Sequence, residues 1–483
     1  MSVKKSKRPG SLVVALVIAA LLMAALTVSI RLGHYFQSLE SEANKFRPYQ
    51  DLYRALAGYD SPQKTLLVLA NNAEIRTGGG FIGTLGLVNS NQGKIKADPL
   101  VGVYSIDSPD YCRDKNYSQP DYLAINLIDC SSLRDSSNYL DFPSNAKRVM
   151  YFYQLNTSIG VNNVVQITPE VLETLLDKLG PVYLKDYNLT VTKDNFRDTV
   201  QLEVEAGKDK LQKKDPKSGV IGSLSNILVS RLLSKDILEI KNILPNLQAL
   251  IDQKQIVMYS SNPQTETLIR KIGAAGELSK TDENYFMMTE SNFAANKSSP
   301  YIKNTVNMHQ AVQPDGSSQI DLEIISEHTS PNRISYIDPN TNKLMWLVGE
   351  DKSYITLALP DDTQLISANV GSRPSNQKIE NGKLLLSYYR YIQPLSQNKV
   401  VFSYKVPTRY LFGDRLVINS LVQKQLGGWP YIINYSLTLP SDEYQITASS
   451  VKGIKKQVGN GNTVFYTGNV DQDQVLSFIY EKP

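Results

Sequence analysis

The chain has 483 residues, which is more than one ordinary domain holds, so two to four domains are expected. Its formal net charge is +4, and the first ten residues alone supply +4 through four Lys and Arg side chains, so the remainder is close to neutral (4 − 4 = 0). A neutral remainder argues against nucleic acid, and against a broad anionic lipid surface, as binding partners.

Residues 11–30 form an uncharged apolar run that is long enough for a transmembrane helix. Basic residues precede it, so the positive-inside rule predicts a cytoplasmic tail at residues 1–10 and an extracytoplasmic ectodomain after Arg31. A cleaved signal peptide and a buried soluble helix are the alternatives. The run is longer than the usual signal-peptide core and has no clean cleavage site. The sequence therefore predicts a single-pass protein of the cell membrane.

The sequence predicts a helical stalk over residues 31–61, which Pro48 is expected to divide into two shorter helices. Residues 62–304 predict an α/β domain with a central mixed sheet. Its first strand, residues 65–70, is continuously apolar, which is typical of a strand buried on both faces. A second strand at 81–88 leads into a hairpin turn.

Helices are predicted around this sheet. Ser144 is a plausible N-cap for a helix over 145–155. Thr168 and Pro169 begin another helix, which ends at Gly180. Residues 222–252 also have helical periodicity, and Pro245 is expected to break their second half.

Beyond residue 304 alternating strands and turns dominate, which predicts β-sandwich modules. A faint internal repeat relates residues 354–362 to 435–442. Two interpretations stay open. Residues 305–407 and 408–483 form two β-sandwiches in tandem, or residues 408–483 continue the sandwich that residues 305–407 begin.

The two cysteines, Cys112 and Cys130, lie in one polar segment of the predicted ectodomain. An oxidising compartment permits a disulfide between them, and two free thiols are the alternative. The three scattered histidines and the lack of any HExxH or CxxC motif argue against a zinc site, so no metal is expected.

A glycine-rich segment after the first strand is the main candidate for ligand binding. Three consecutive glycines allow a close backbone approach and can hold an anion, while an arginine adds a bidentate donor. A tight connection between strands, with the arginine paired to an acid, is the alternative. The candidate ligand-binding residues are Asn71, Asn72, Glu74, Arg76, Thr77, Gly78, Gly79 and Gly80.

Carboxylates farther along the chain are weaker candidates. Asp107, Asp110, Asp114 and Asp121 could bind Mg²⁺ or Ca²⁺, but their spacing fits no EF-hand loop and a solvated loop is the simpler reading. Asp141 is a candidate ligand contact or a plain helix cap. So few histidines give nucleophilic hydrolysis little support, and no catalytic residue is assigned.

The segment from Asn71 to Gly83, NNAEIRTGGGFIG, resembles the signature of domain-of-unknown-function family 4012, with Thr-Gly where Pro-Thr is usual. That family consists of bacterial membrane-anchored envelope proteins. Further similar pieces occur at residues 141–143, 165–169, 179–182, 290–297 and 421–425. The resemblance implies a cell-envelope location.

A more distant resemblance is to the LytR-CpsA-Psr phosphotransferases, which act on polyprenyl-phosphate-linked glycans. Arg76 would occupy the position of a phosphate-binding arginine near the start of those enzymes' domain. Asn71 or Asn72, however, occupies the position of a catalytic-type Asp, and the arginine-rich helix motif is missing near residues 199–215. The resemblance therefore implies a similar scaffold more strongly than the same chemistry.

The leading hypothesis is an envelope protein that binds a cell-wall or lipid-linked glycan at the Arg76 loop, without catalysis or with weak catalysis and without a cofactor. The alternatives are an active glycopolymer phosphotransferase, for which Mg²⁺ would be needed, and a structural or adhesive surface protein.

Overall fold

The computed structural model describes residues 40–107, 132–207, 216–235, 237–281, 283–294, 296–330, 334–339, 341–371, 376–457 and 462–482. The predicted cytoplasmic tail, the transmembrane helix at 11–30 and both cysteines lie outside these residues. Within the described ranges, no helix is long and apolar enough to cross a lipid bilayer.

The described chain forms two compact units, the first mixed α/β and the second all β. The first comprises the described residues within 1–72, 78–277 and 336–345, and the second comprises the described residues within 73–77, 278–335 and 346–483. The mixed α/β architecture, with a β-rich C-terminal region, agrees with the sequence prediction.

The first unit is built on a mixed sheet in the order β3-β2-β1-β5-β8, with β4 paired to β2. Strand β1 runs antiparallel to β2 and parallel to β5, and β8 is antiparallel to β5. The strands β6 and β7 form a separate hairpin. The bounds are β1 Gln63–Asn71, β2 Phe81–Asn91, β3 Lys94–Ala97, β4 Val101–Gly102, β5 Asn163–Ile167, β6 Val182–Leu184, β7 Leu189–Val191 and β8 Ile256–Ser260.

Seven helices are described in this unit: α1 Glu40–Leu56, α2 Phe142–Thr157, α3 Pro169–Leu179, α4 Phe196–Ala206, α5 Pro216–Leu233, α6 Ile237–Asp252 and α7 Pro263–Lys271. One apolar core joins the sheet to the helices. Leu67 and Val165 of the sheet lie in it together with Leu175 of α3, Leu224 of α5 and Leu247 of α6. Burial of these side chains supplies most of the driving force that holds α3, α5 and α6 against the sheet.

The helix boundaries correct three sequence predictions. Helix α1 runs through Pro48 and α6 runs through Pro245. A proline removes one backbone donor, and burial of neighbours such as Leu52 can outweigh that loss. Helix α2 begins at Phe142, and its N-cap is Asp141 rather than Ser144, because the Asp141 carboxylate accepts from the Ser144 backbone N–H at 3.0 Å.

The second unit contains two seven-stranded sheets, ordered β16-β17-β14-β9-β19-β24-β21 and β15-β18-β11-β10-β20-β23-β22. The bounds are β9 Asn284–Asn292, β10 Ile302–Val312, β11 Ser318–His328, β14 Asp351–Pro360, β15 Gln364–Asn369, β16 Asn376–Glu380, β17 Lys383–Ile392, β18 Gln397–Val406, β19 Arg415–Gln423, β20 Tyr431–Leu439, β21 Gln445–Ser449, β22 Lys455–Gln457, β23 Asn462–Val470 and β24 Gln474–Glu481. A short pair, β12 Ile334–Ile337 and β13 Leu344–Val348, is separate from both sheets.

Both sheets enclose one continuous apolar core, to which Phe286 and Leu357 contribute from one sheet and Val306 and Ile433 from the other. Alternation along the strands produces this arrangement, since every second residue of β10 and β20 is buried. A single core therefore lies between the two seven-stranded sheets.

The internal repeat seen in the sequence corresponds to two sets of strands, β14–β18 and β20–β24. In the first set β14 pairs with β17, β16 with β17, and β15 with β18. In the second set β20 pairs with β23, β22 with β23, and β21 with β24. The sheet that holds the β14, β16 and β17 strands of the first set holds β21 and β24 of the second, and the other sheet holds β15 and β18 of the first set with β20, β22 and β23 of the second. Strands β9 and β10 are the central strands of the two sheets.

Candidate functional site

Four polar side chains meet at one edge of the first unit's sheet. Because β1 and β5 are parallel, their carboxyl ends reach the same edge, where Asn72 follows β1 and Pro169 begins α3 directly after β5. The first turns of α3 carry Glu170 and Glu173, and the first turn of α4 carries Arg197. We call Asn72, Glu170, Glu173 and Arg197 the carboxyl-edge cluster.

The cluster is closely hydrogen-bonded. Asn72 donates through Nδ2 to Glu170 Oε1 at 2.7 Å and accepts at Oδ1 from Arg197 Nη1 at 3.1 Å. The Arg197 guanidinium pairs with Glu170 Oε1 at 2.8 Å and with Glu173 Oε1 at 2.6 Å. Asn72 is fully buried, whereas the Glu170, Glu173 and Arg197 side chains keep 18%, 21% and 19% of their surface exposed. The cluster is therefore preorganised and still reached by solvent.

The charges of the cluster favour a ligand that donates hydrogen bonds to it. Two carboxylates and one guanidinium give a formal charge of −1 when all are ionised. Burial raises the pKa of the Glu173 carboxyl, and the nearby Arg197 guanidinium opposes that rise. Oε2 of Glu170 is buried and has no hydrogen-bond partner among the residues that the structure describes. The cluster therefore keeps acceptor capacity beyond its internal bonds.

Carboxylate and carboxamide groups beside a guanidinium can accept from hydroxyl groups and donate to them at the same time. A hydroxyl-rich ligand suits this mixture, because each hydroxyl is both a donor and an acceptor. A phosphate suits it less well, since the local formal charge is already negative.

The three predicted glycines are packed against the protein itself. Gly78 donates to the Ser137 carbonyl at 3.0 Å and accepts from Gln166 Nε2 at 2.8 Å. A Cβ on Gly78 would lie 2.5 Å from the Asn145 amide nitrogen. Gly79 and Gly80 have φ of 113° and 134°, a region that favours glycine. Packing and backbone conformation thus account for these glycines, and their ligand-binding role stays a prediction.

Glu74 and Arg76 belong to the second unit, whereas Asn72 belongs to the first. Glu74 Oε1 pairs with Arg76 Nη2 at 2.7 Å, and its Oε2 pairs with Lys297 Nζ at 2.6 Å. Arg76 Nη1 also donates to the carbonyl of Asn292, the last residue of β9. Only 12% of the Arg76 side chain is exposed. The guanidinium is therefore engaged by protein groups, and these three charged side chains fasten residues 73–77 to the sandwich.

The remaining predicted site residues have local partners. Asn71 ends β1 opposite Phe81, and the Thr77 carbonyl accepts from Gln425 Nε2 at 3.5 Å. Asp141 caps α2, as one of the two sequence readings proposed. Asp107 accepts from the Leu133 backbone N–H at 3.0 Å. Asp110, Asp114 and Asp121 lie outside the described residues.

Sequence reasoning missed three members of the carboxyl-edge cluster. Glu170 and Glu173 follow a strand and a helix-starting proline, and this local signal could have placed both at the sheet's carboxyl edge. Arg197 carries no comparable signal, because its helix packs there only in the folded chain. Anywhere in the described ranges, this cluster included, no group of three or more His, Cys, Asp or Glu side chains is placed to hold a metal ion.

Comparison with known proteins gives a family match over part of the chain. Residues 60–204 match the model of DUF4012, described as a protein of unknown function, which confirms the resemblance to family 4012 over these residues. No curated protein matches the chain.

Similar solved structures are distant. They include a candidate nutrient-binding protein from Legionella pneumophila, which is 10% identical with a TM-score of 0.29, over 41% of this chain and 70% of that chain. An M1 zinc metallopeptidase from Deinococcus radiodurans is 13% identical with a TM-score of 0.22, over 37% of this chain and 42% of that chain. The Lin1025 protein from Listeria innocua is 13% identical with a TM-score of 0.23, over 47% of this chain and 84% of that chain. With TM-scores this low, none of the three supports an argument about function.

Proposed function

We propose that this chain, whose residues 60–204 belong to domain-of-unknown-function family 4012, is a membrane-anchored cell-envelope protein that binds a hydroxyl-rich part of a cell-wall or lipid-linked glycan. Residues 11–30 would be its anchor and its N-terminus would be cytoplasmic. The scaffold likeness to LytR-CpsA-Psr proteins belongs to the same proposal and rests on the sequence alone.

The observation that carries the binding proposal is the carboxyl-edge cluster. The carboxyl edge of an open α/β sheet is where loops commonly present side chains to ligands. The cluster places a buried carboxamide, two carboxylates and a guanidinium there, with about a fifth of each charged side chain exposed. Such fixed polar groups orient a ligand at low entropic cost.

The charge balance supports sugar hydroxyls over a pyrophosphate as the bound group. Arg197 already faces two carboxylates, so a phosphate would have to displace one of them or bind beside net negative charge. We therefore propose binding, rather than phosphotransfer, as the activity of this cluster.

Binding can be tested with the full chain in a detergent that has no sugar headgroup. The probe is purified cell-wall sacculi, and the readout is the fraction of protein that sediments with them. Arg197→Gln should weaken binding about tenfold, the scale of one lost charge-assisted hydrogen bond. Arg270→Gln is the matched control, since Arg270 is a half-exposed arginine paired with Glu277 at 2.7 Å.

Each outcome decides the proposal when melting curves show that the variants are folded. Wild-type protein that stays in solution, or Arg197→Gln that sediments as well as the control, would contradict glycan binding at this cluster. Transfer of a lipid-linked glycan by the purified protein, lost in the same variant, would establish the phosphotransferase instead.

The anchoring proposal has a separate test. Protease added to intact spheroplasts should digest the chain beyond about residue 31, as an extracytoplasmic domain would be. A full-length protected product would contradict the outside location, and a mature N-terminus near Leu32 would establish a cleaved signal peptide instead.

A further inference from the structure

A surface pocket of about 380 Å³ lies in the first unit, away from the carboxyl-edge cluster. Helix α1, the start of β1 and the N-terminal turn of α7 form its walls. Its polar lining includes Asp51, Arg54, Asp60, Ser61, Asn262 and Gln264. We call it the α1–α7 pocket. Its volume is at the lower end of the range typical of small-molecule sites, so it suits one small ligand.

The α1 wall is fixed by backbone hydrogen bonds. The carbonyls of Ala57 and Gly58 accept from Gly93 and Gln92 at 3.0 and 2.7 Å, so the end of α1 is held by the β2–β3 turn. The Arg54 guanidinium lies 5.0 Å from the centre of the Tyr59 ring. This contact holds the charged group beside an aromatic surface.

The opposite wall is fixed by side chains. Asn262 Oδ1 accepts from the backbone N–H groups of Gln264 and Thr265 at 2.9 and 3.0 Å. Gln63 Nε2 donates to Ser61 Oγ at 2.9 Å. The Asn262 carbonyl oxygen and the Gln63 amide nitrogen are thus committed to shaping the pocket.

Three other groups remain open to a ligand. Over the described residues, Asp51, Asp60 and Gln264 have no side-chain hydrogen bond or ion pair with the protein. Each is also exposed. The pocket therefore offers two uncommitted carboxylates, one carboxamide and the Arg54 guanidinium, with a formal charge of −1 from the two aspartates and the arginine.

This combination points to a ligand class. Two carboxylates can accept from several hydroxyls, while Gln264 and Arg54 donate to ring or hydroxyl oxygens. The apolar Ala55 and Leu268 also line the pocket and offer a surface to the carbon face of a ring. A phosphate is disfavoured by the negative balance.

We propose that the α1–α7 pocket binds a single uncharged saccharide unit, held by Asp51, Asp60, Arg54 and Gln264. Gln63 begins β1 and Asn72 follows its end, so this pocket lies at the opposite end of the strand from the carboxyl-edge cluster, about 30 Å away for nine extended residues. The pocket is thus a second carbohydrate site, and its existence does not depend on the proposed function of the first.

The test is saturation-transfer NMR on the full chain, again in a detergent without a sugar headgroup. The probes are glucose and N-acetylglucosamine, with inorganic phosphate as a competitor. The Asp51→Asn/Asp60→Asn double variant should lose at least about tenfold in affinity, as expected for lost hydrogen bonds to charged acceptors. Asp361→Asn, an exposed aspartate of the second unit, is the matched control and should bind as the wild type does.

The outcomes separate the two sites. Transfer that is retained in Arg197→Gln, is lost when Asp51→Asn and Asp60→Asn are added to that variant, and is unaffected by excess phosphate supports the pocket. No transfer to either sugar, equal transfer in the double variant, or displacement by phosphate overturns it. Transfer lost only in Arg197→Gln would overturn the pocket while supporting the carboxyl-edge cluster.

Discussion

Replacement of Arg76 by Met tests whether this arginine fastens residues 73–77 to the sandwich or is held available for a ligand. In the structure its guanidinium pairs with Glu74 at 2.7 Å and donates to the Asn292 carbonyl. The Arg76→Met variant keeps most of the side-chain volume but removes both bonds. Glu74, with only 5% of its side chain exposed, would then keep Lys297 as its cationic partner.

The cost can be bounded from these contacts. Removing one partner of a buried ion pair costs about 3–5 kcal/mol, because the other charge is left without compensation. Lys297 still pairs with the second oxygen of Glu74 at 2.6 Å, so we expect about 2–4 kcal/mol for Arg76→Met. Adding Glu74→Gln should reveal a coupling energy of about 1–3 kcal/mol between the two positions.

Urea unfolding followed by tryptophan fluorescence is the suitable assay, because Trp346 and Trp429 both belong to the second unit. Arg415→Met is the control, because Arg415 also belongs to the second unit and its pair with Glu481, at 4.0 Å, leaves both side chains about half exposed or more. That control should cost about 0–1 kcal/mol. An Arg76→Met loss no larger than the control's would refute the structural role, and lost glycan binding by folded Arg76→Met would support the ligand role inferred from the sequence.

Three further changes test other parts of the structure. Gly80→Ala should lower the free energy of unfolding by about 3 kcal/mol or more, because φ is 134° and the new Cβ would lie 2.8 Å from the Asn71 carbonyl carbon. Gly180→Ala, where φ is 82° and the space around the glycine is open, should lower it by about 1–2 kcal/mol, and equal melting temperatures for the two variants would refute this difference. Burial raises the pKa of the Glu266 carboxyl above its ordinary value of 4.5, so the folded chain binds the carboxyl proton more tightly than the unfolded chain does. The protonated carboxyl therefore stabilises the fold fully at pH values below the unfolded-state pKa, and this stabilisation is lost as the pH rises through the folded-state pKa. Glu266→Gln should therefore lose less stability than the wild type as the pH rises above the ordinary titration range of a glutamate, measured by urea unfolding, and parallel profiles would count against the assignment. Arg390→Met should lower the free energy of unfolding by about 3–5 kcal/mol, because the buried carboxylates of Glu290 and Asp351 would lose their cation. A loss under about 1 kcal/mol by tryptophan fluorescence would show that these two ion pairs do not stabilise the fold.

Local signals in the sequence were sufficient for several elements. Helix α3 begins at Pro169 and ends before Gly180 as predicted, since a first-turn proline and a terminal glycine act within a few residues of the helix ends. The Thr168 side chain was expected to cap this helix, but it donates to Gln255 Oε1 at 2.7 Å and makes no cap hydrogen bond. The first strand and the hairpin that follows it were also recognised from hydrophobic runs and turn residues. The family resemblance around Asn71–Gly83 depended on a contiguous motif in the same way.

Prolines show where a local rule was insufficient. Pro48 and Pro245 were expected to break helices, yet α1 and α6 continue through them. The cost of a missing backbone donor is local, but the burial that can offset it comes from side chains brought up by the fold.

The candidate site was decided by tertiary structure. Asn72 and Glu170 are 98 residues apart, and Arg76 and Asn292 are 216 residues apart, so no short-range pattern connects either pair. The sequence determined that an arginine and several polar residues follow the first strand. Only the fold decided that Arg76 is paired within the sandwich unit while Arg197 lies at the sheet edge, because an arginine's partners depend on which distant carboxylates folding brings within hydrogen-bond distance.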